Sequence, residues 1–379
     1  MGNKIIKTKP IKKFPLGWSL KKLSDLLIYE RPDPYIVKST LYNDKAKIPV
    51  LTANKSFILG CTDENFGIYK NIPAIIFDDF TTDSKFVNFP FKVKSSAIKI
   101  LKNKNENVDL RFVFEKMKSI NFPIGSHKRF YISQYQNLEI ATPPIKEQRK
   151  IAEILEEVDK DIAKTQEVIE TMEKLKCGLM QDILSFRKSK DVKYLALGNI
   201  GKVSMCKRIF REETSPVGEI PFYKIGTFGK EADAFISQEL FDNYRKKFPF
   251  PKIGDILLSA SGTIGRKVKY DGRPAYFQDS NIIWLEHDES KILNSFLFYL
   301  YDTIKWQTEG STIKRLYNSI LLRRVVPVPS IPTQKKTVEV LSAIDEKISV
   351  NKKLKEKLNL LKKGLMQDLL SGSVRTNTN

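Results

Sequence analysis

Apolar residues recur in steps of mostly three and four between Pro144 and Ser185, at Ile151, Leu155, Val158, Ile162, Ile169, Met172 and Leu179. That spacing predicts one long helix with a heptad-like seam, and the stretch holds no proline and a single glycine, Gly178. A second run follows Pro329: Leu341, Ile344, Ile348, Leu354, Leu358, Leu361 and Leu365, read with a register shift after Ile348. The two runs are copies. The segments that start at Pro143 and Pro329 align without a gap at an offset of 186 residues, and both contain Gly-Leu-Met-Gln-Asp, at Gly178 to Asp182 and Gly364 to Asp368. The match reaches upstream to Lys128-Arg129-Phe130-Tyr131-x-Ser133 against Lys314-Arg315-Leu316-Tyr317-x-Ser319. A helix of about 40 residues is roughly 60 Å long at 1.5 Å per residue, and neither copy can bury its seam alone.

The simplest solution pairs the copies with each other, antiparallel, which brings the two ends of the chain together. Thr165 and Asn351 hold equivalent seam positions near the two helix centres. As a facing polar pair they would fix register at a cost in stability; the other reading has both facing solvent. Glycine inside a helix costs about 1 kcal/mol against alanine, so Gly178 and Gly364 suggest close packing, with plain duplication as the alternative.

Outside the helices the pattern is mixed. In the first half, segments beginning at Ile48, Pro73 and Phe89 read as strands, and Asp109 to Ile120 reads as helical. In the second, segments beginning at Gly254, Arg273 and Ser295 play comparable parts in the same order. The expected fold is α/β (α+β): two globular heads joined by two long antiparallel helices, an internal duplication with pseudo-two-fold character. The expected boundaries are 1–142 for the first head, 143–187 for the central helix, 188–328 for the second head, 329–372 for the C-terminal helix and 373–379 for a flexible tail.

Charge changes the picture. The net charge of +21 is spread unevenly, as +11 over 1–142, −2 over 143–187, +7 over 188–329 and +5 over 330–379. Two basic heads on a scaffold point to a polyanionic partner with two separate faces. Cys61, Cys177 and Cys206 are scattered and odd in number, which argues against a disulfide framework or zinc site and fits a reducing cytoplasm. The basic start has no apolar stretch behind it, Ile6 breaks a myristoylation pattern, and no apolar run approaches a membrane span. A cytoplasmic protein is expected.

The candidate DNA contacts are loops that combine hydroxyls, glycine and cations. Ser259, Ser261, Thr263, Arg266 and Lys267 lie in one such turn, suited to phosphate positioning unless it is an ordinary hairpin. It has no Walker spacing. Gln278 and Asn281 in the next strand could pair with adenine edges. The comparable first-half residues are Thr52, Asn54, Lys55, Thr62 and the turn from Thr81 to Lys85. Lys128, Arg129, Lys314 and Arg315 recur in both halves, so they suit backbone phosphate rather than bases, with a salt bridge to the adjacent helix as the competing role. No dinucleotide-binding, methyltransferase or Walker motif is present, and His127 and His287 are isolated, so no metal site is expected. Asp78, Asp79 and Lys85 fit a nuclease pattern only by force.

Pro143-x-Ile145-x-x-Gln148, its repeat Pro329-x-Ile331-x-x-Gln334, the Gly-Leu-Met-Gln-Asp-x-Leu-Ser helix ends and the Gly254-to-Gly265 segment resemble the DNA-specificity subunits of type I restriction–modification enzymes. The resemblance spans nearly the whole chain. Thr333 replaces Glu147 in the second copy, which reads as drift at a helix start. The family implies a non-catalytic subunit in which each head reads half of a split, asymmetric duplex DNA target and the helices act as a spacer. Two modification subunits that methylate adenine with S-adenosylmethionine would dock on it, and restriction subunits using ATP and Mg would join the complex. This chain would bind no cofactor. Two other classes stand beside it: a cryptic nuclease, and a coiled-coil scaffold whose basic heads bind RNA or membrane.

Overall fold

The computed structural model describes residues 15–43, 45–53, 56–123, 129–185, 192–306 and 315–376; the side chains of 183–185 are outside the description. The chain divides into two units, Met1–Gln166 with Lys353–Asn379, and Glu167–Lys352. The cuts after Gln166 and Lys352 fall at equivalent positions of the 186-residue repeat. Each unit is therefore one head with half of each long helix.

The first head contains β1 (Ser19–Lys22), the single turn α1 (Leu23–Leu26), β2 (Leu27–Glu30), β3 (Ile48–Leu51), β4 (Ile58–Thr62), β5 (Ala74–Asp78), β6 (Ser84–Val87), β7 (Lys92–Val93), β8 (Ile98–Asn103), α2 (Leu110–Ser119) and β9 (Glu139–Thr142). The long helix α3 (Ile145–Ser185) follows. The second head contains β10 (Lys193–Ala196), β11 (Lys202–Ser204), β12 (Ile220–Tyr223), β13 (Phe235–Ile236), α4 (Gln238–Lys247), β14 (Ile256–Ser259), β15 (Lys267–Lys269), β16 (Tyr276–Phe277), β17 (Ile282–Glu286), α5 (Asn294–Thr303), α6 (Asn318–Arg323) and β18 (Val325–Val328). The second long helix is α7 (Ile331–Ser371).

Strand for strand, the two heads have one topology. The first has a sheet in the order β2-β8-β5-β6, a smaller sheet β4-β3-β7 and the pair β1-β9; the second has β11-β17-β14-β15, β13-β12-β16 and β10-β18. Even the parallel pairings correspond, β3 with β7 and β12 with β16. The uninterrupted apolar runs take interior places: β5 and β14 are buried at every residue and each has a neighbour on both sides. Apolar run length and turn position are what the two heads share, so the fold persists while the identities diverge.

Each long helix packs its seam in strict alternation of three and four. On α3 the seam positions, all buried or half-buried, are Gln148, Ile151, Leu155, Val158, Ile162, Thr165, Ile169, Met172, Lys176 and Leu179; on α7 they include Gln334, Leu341, Ile344, Ile348, Asn351, Lys355, Leu358, Lys362, Leu365 and Leu369. The register shift expected after Ile348 does not occur. Leu354 and Leu361, expected in the seam, are 44% and 52% exposed. Lysines hold their places: Lys355 Nζ donates to Gln166 Oε1 at 2.7 Å, and Lys362 Nζ lies 2.6 Å from Asp159 Oδ2. Their methylene stems fill the seam and the ammonium reaches a polar partner at its edge. Within the first unit the two helix halves run antiparallel, Asp159 facing Lys362 and Gln166 facing Lys355. The second unit repeats this with Glu173 facing Lys352 and Lys176 facing Asp345.

Ile151 and Leu155 also enter the first head's core, beside Trp18, Leu23 and Phe112 and the helix end Leu369 and Leu370. Leu341 joins Phe296, Tyr299 and Leu300 in the second, and Ile169, Ile344 and Ile348 form a cluster flanked by Met172. The polar centre is satisfied locally. Thr165 Oγ1 donates to the Asp161 carbonyl and Asn351 Nδ2 to the Lys347 carbonyl, each one turn back on its own helix. A Cβ added to Gly178 or Gly364 would meet nothing within 4 Å, so close packing within this chain does not explain those glycines.

The first and last described segments meet in the first unit. α7 ends just before Gly372, whose φ is +77° and where a Cβ would stand 2.5 Å from Pro15 Cγ, so a side chain there is disfavoured twice over. Within the expected flexible tail, residue 375 is held: Arg375 binds both carboxylate oxygens of Glu147, at 2.7 and 2.9 Å, and donates to the Leu16 carbonyl. Glu147 also accepts from Trp18 Nε1 at 3.1 Å. At the equivalent position Thr333 is exposed, and its hydroxyl lies 3.0 Å from that of Ser330.

Candidate nucleic-acid interface

The turn between β5 and β6 and the turn between β14 and β15 are equivalent corners of the two larger sheets. The residues that follow the repeated Lys-Arg motif, Phe130 and Leu316, run beside both. Phe130 N donates to the Asp79 carbonyl, and Leu316 N donates to the Ala260 carbonyl. Sequence reading gave the two turns as comparable candidates; the topology puts them at equivalent places in the two sheets.

In the first head, Asp78 builds the turn by accepting from Phe80 N and Thr81 N, both at 2.9 Å. Asp79 is buried, accepts from Tyr131 N at 2.8 Å and pairs with Lys99 at 3.2 Å. Both carboxylates are thus bound to the scaffold, which removes the nuclease pattern. Thr81, Thr82 and Lys85 are half-buried, while Phe80 and Asp83 are exposed. Arg129 is exposed, with its guanidinium 5.9 Å from the Phe80 ring centre. Thr52 lies at the β3–β4 turn, where its N–H donates to the Phe57 carbonyl. Thr62 does not reach the surface; it is buried in β4 and accepts from Glu64 N. Asn54, Lys55, Lys128 and Lys314 lie outside the described residues.

In the second head, three candidates prove to be architecture. Ser259 is fully buried; its hydroxyl donates to the Thr263 carbonyl and accepts from Arg266 N at 2.9 Å. Ser261 is buried and donates to Asn281 Oδ1 at 2.8 Å. Lys267 pairs with Asp302 at 2.6 Å, donates to the Phe298 carbonyl and sits 3.8 Å from that ring centre. Burial pulls its ammonium below the ordinary lysine range, with Asp302 opposing. A sequence cannot say which hydroxyls close a turn and which face out. Gly265 is forced by geometry, with φ +85° and Trp306 only 2.6 Å from where a Cβ would stand.

Thr263 remains exposed at the tip. Arg266 is half-buried and braced by the Phe228 carbonyl and Thr263 Oγ1. Arg315 donates to the Ser280 carbonyl at 2.8 Å. Neither Arg129 nor Arg315 has a salt bridge among the described residues, which counts against the competing role of a bridge to the helix. Gln278 and Asn281 are anchored: their carbonyl oxygens accept from Ile225 N and Ser261 Oγ, which leaves the N–H₂ donors more available than the acceptors that an adenine edge also asks for.

Two residues the candidate set omitted are the buried Gln148 and Gln334, which fasten each head to its helix. Their signal was the twofold Pro-x-Ile-x-x-Gln motif, seen but given no role. Among the described residues, no cluster of three or more His, Cys, Asp or Glu could hold a metal. No described helix is long and apolar enough to cross a membrane.

Residues 15–174 and 189–360 each match the type I restriction modification DNA specificity domain. The chain belongs to this family. Among relatives of the type I specificity family, the chain is 38% identical to a putative type I restriction enzyme specificity subunit of Haemophilus influenzae over 64% of its own length and 66% of that protein. It is 31% identical to the EcoR124I/EcoR124II specificity subunit of Escherichia coli over 85% of both chains. The fold is similar to the S subunit of the type I system from M. genitalium, with TM-score 0.67 at 18% identity over 96% of this chain and 98% of that one. A chain from a structure of type I complex assembly and conformational transition gives TM-score 0.56 at 14% identity, over 96% and 100%. Like its specificity-subunit relatives, this chain is a non-catalytic DNA-recognition component of a type I system.

Proposed function

We propose that the chain reads a bipartite, asymmetric duplex target, one half-site per head, and positions adenine-methyltransferase and restriction subunits around it. The observation that carries this reading is a pair of heads with one topology and different chemistry at the equivalent corner. One presents Phe80, Thr81, Thr82 and Asp83 there; the other presents Gly262, Thr263, Ile264 and Arg266. Shared architecture gives each head an equivalent docking pose, and different tips give two different half-sites. Two modification subunits supply the S-adenosylmethionine chemistry, restriction subunits use ATP and Mg, and this chain binds no cofactor. The complex acts in the cytoplasm.

The test is the adenine methylome of cells that express the chain with its modification subunit, compared with cells expressing the modification subunit alone. A new split, asymmetric motif methylated on both strands is expected. A co-purifying complex that methylates no new motif would sink the proposal.

Arg129 belongs to the phosphate-positioning set. Arg129→Ala is expected to weaken binding to every duplex alike and to reduce the salt slope by about one. Binding titrations at several salt concentrations check this; a change confined to one base preference would reassign the residue.

A further inference from the structure

The turn between β16 and β17, Gln278 to Asn281, is held on every residue. Gln278 N donates to the Tyr223 carbonyl, and Gln278 Oε1 accepts from Ile225 N, both at 2.9 Å. Arg208 Nε donates to Asp279 Oδ2 at 3.0 Å. Arg315 fixes the Ser280 carbonyl, and Ser261 fixes Asn281 Oδ1, both at 2.8 Å. Ser280 sits at φ +53°, a conformation a non-glycine residue keeps only when its surroundings over-determine it.

The two amides end up alike. Each spends its oxygen on the protein, and among the described residues neither Gln278 Nε2 nor Asn281 Nδ2 has a partner. An amide anchored through its oxygen presents N–H donors. Gln278 also lines a cavity of about 630 Å³ with Phe210, Arg211 and Lys224. Phe210 is 58% exposed, and Arg211 adds an exposed guanidinium. Asp233, the carboxylate that lines the cavity, is engaged by Lys224 at 2.8 Å, and Asp279 of the turn by Arg208. What the surface offers is donors and positive charge beside an aromatic ring.

In the major groove, guanine alone shows two adjacent acceptors, N7 and O6, whereas adenine pairs an acceptor with a donor. We propose that the Gln278–Asn281 turn, with Arg211 beside it, reads guanine in the half-site of the second head. This rests on the specificity reading above. Phosphate oxygens would also accept these donors, and that is the alternative the test must separate.

Gln278→Glu and Asn281→Asp are the decisive variants. Each keeps the anchored oxygen and turns the free N–H₂ into an acceptor, which suits the cytosine N4 donor instead. Methylomes of the full chain with its modification subunit are compared for parent and variants. The parent motif is expected to contain guanine in one half-site. In the variants, methylation of guanine-bearing sites relative to other bases at that position should fall about fivefold or more, with the other half-site unchanged. An unaltered motif methylated less at every site would mark a phosphate contact and overturn the proposal. A parent half-site without guanine would overturn it too, as would loss of all methylation in both variants at an unchanged melting temperature. No motif from the parent would instead overturn the specificity reading itself.

Discussion

Lys362→Met is expected to destabilise the first unit by about 3 kcal/mol or more, whereas Lys176→Met at the equivalent position of the second unit should cost about 1 kcal/mol or less. The two lysines face equivalent aspartates across the helix pair, at 2.6 Å in each case. Their settings differ. The Lys362 side chain is 9% exposed and lies 3.4 Å from Glu115, whose side chain is fully buried. Arg111 holds one side of this group, touching Glu115 and Asp159. Glu115 Oε2 makes no hydrogen bond, so Lys362 is the cation that balances that oxygen, while Arg111 holds Oε1. Removing one member of a buried ion cluster strands a charge that has already lost its water. Lys176 and Asp345 are 23% and 36% exposed, so solvent screens the pair, and Asp345 keeps the Tyr299 hydroxyl at 2.9 Å. Denaturant unfolding of the full-length variants checks the asymmetry. Equal losses would mean that burial does not set the cost. Adding Glu115→Gln to Lys362→Met should recover part of the loss, because it removes the stranded charge.

This contrast also explains what the sequence made legible. The repeat was plain because both helices must present the same alternation of three and four, and that requirement constrains residue identity over many turns. The second half of α7 was misread because Lys355 and Lys362 occupy seam positions where only apolar residues were sought; Leu354 and Leu361 offered a false stripe one step away. The common topology of the heads was hidden for the opposite reason. A buried strand such as β5 or β14 asks only for a short apolar run between turns, which Ala-Ile-Ile-Phe and Ile-Leu-Leu-Ser satisfy equally. At the candidate interface, the hydroxyl-rich turn was recognisable as a turn. That Ser259 and Ser261 point inward depends on how the turn closes back on Thr263 and Arg266 and on Asn281 arriving from the turn after β16.

Gln148→Leu and Gln334→Leu are expected to cost about 3 kcal/mol or more each, and here the two units should respond alike. Gln148 is 1% exposed and Gln334 fully buried. Gln148 Nε2 donates to the Pro143 carbonyl at 2.9 Å and the Asn107 carbonyl at 3.2 Å, while its Oε1 accepts from Asp109 N at 2.9 Å. Gln334 Nε2 donates to the Pro329 and Lys291 carbonyls, both at 2.9 Å, and its Oε1 accepts from Leu293 N at 2.8 Å. One side chain thus satisfies three backbone groups, and leucine would leave each without its partner. The position matters for function as well as stability. Asp109 caps α2 through Phe112 N at 2.8 Å, and Leu293 directly precedes α5. The glutamine therefore ties the first turn of the long helix to the start of a head helix, and so fixes the head on its spacer. Gln148→Glu should be as damaging as leucine, since it sets a carboxylate against two carbonyl oxygens. Thermal unfolding compares the three single variants at the two sites, and methylation by the assembled complex reads the consequence for function. A loss below about 1 kcal/mol at both sites would show that the motif does not fasten head to helix. A large loss at one site alone would show that the repeat preserved the residue without preserving its work.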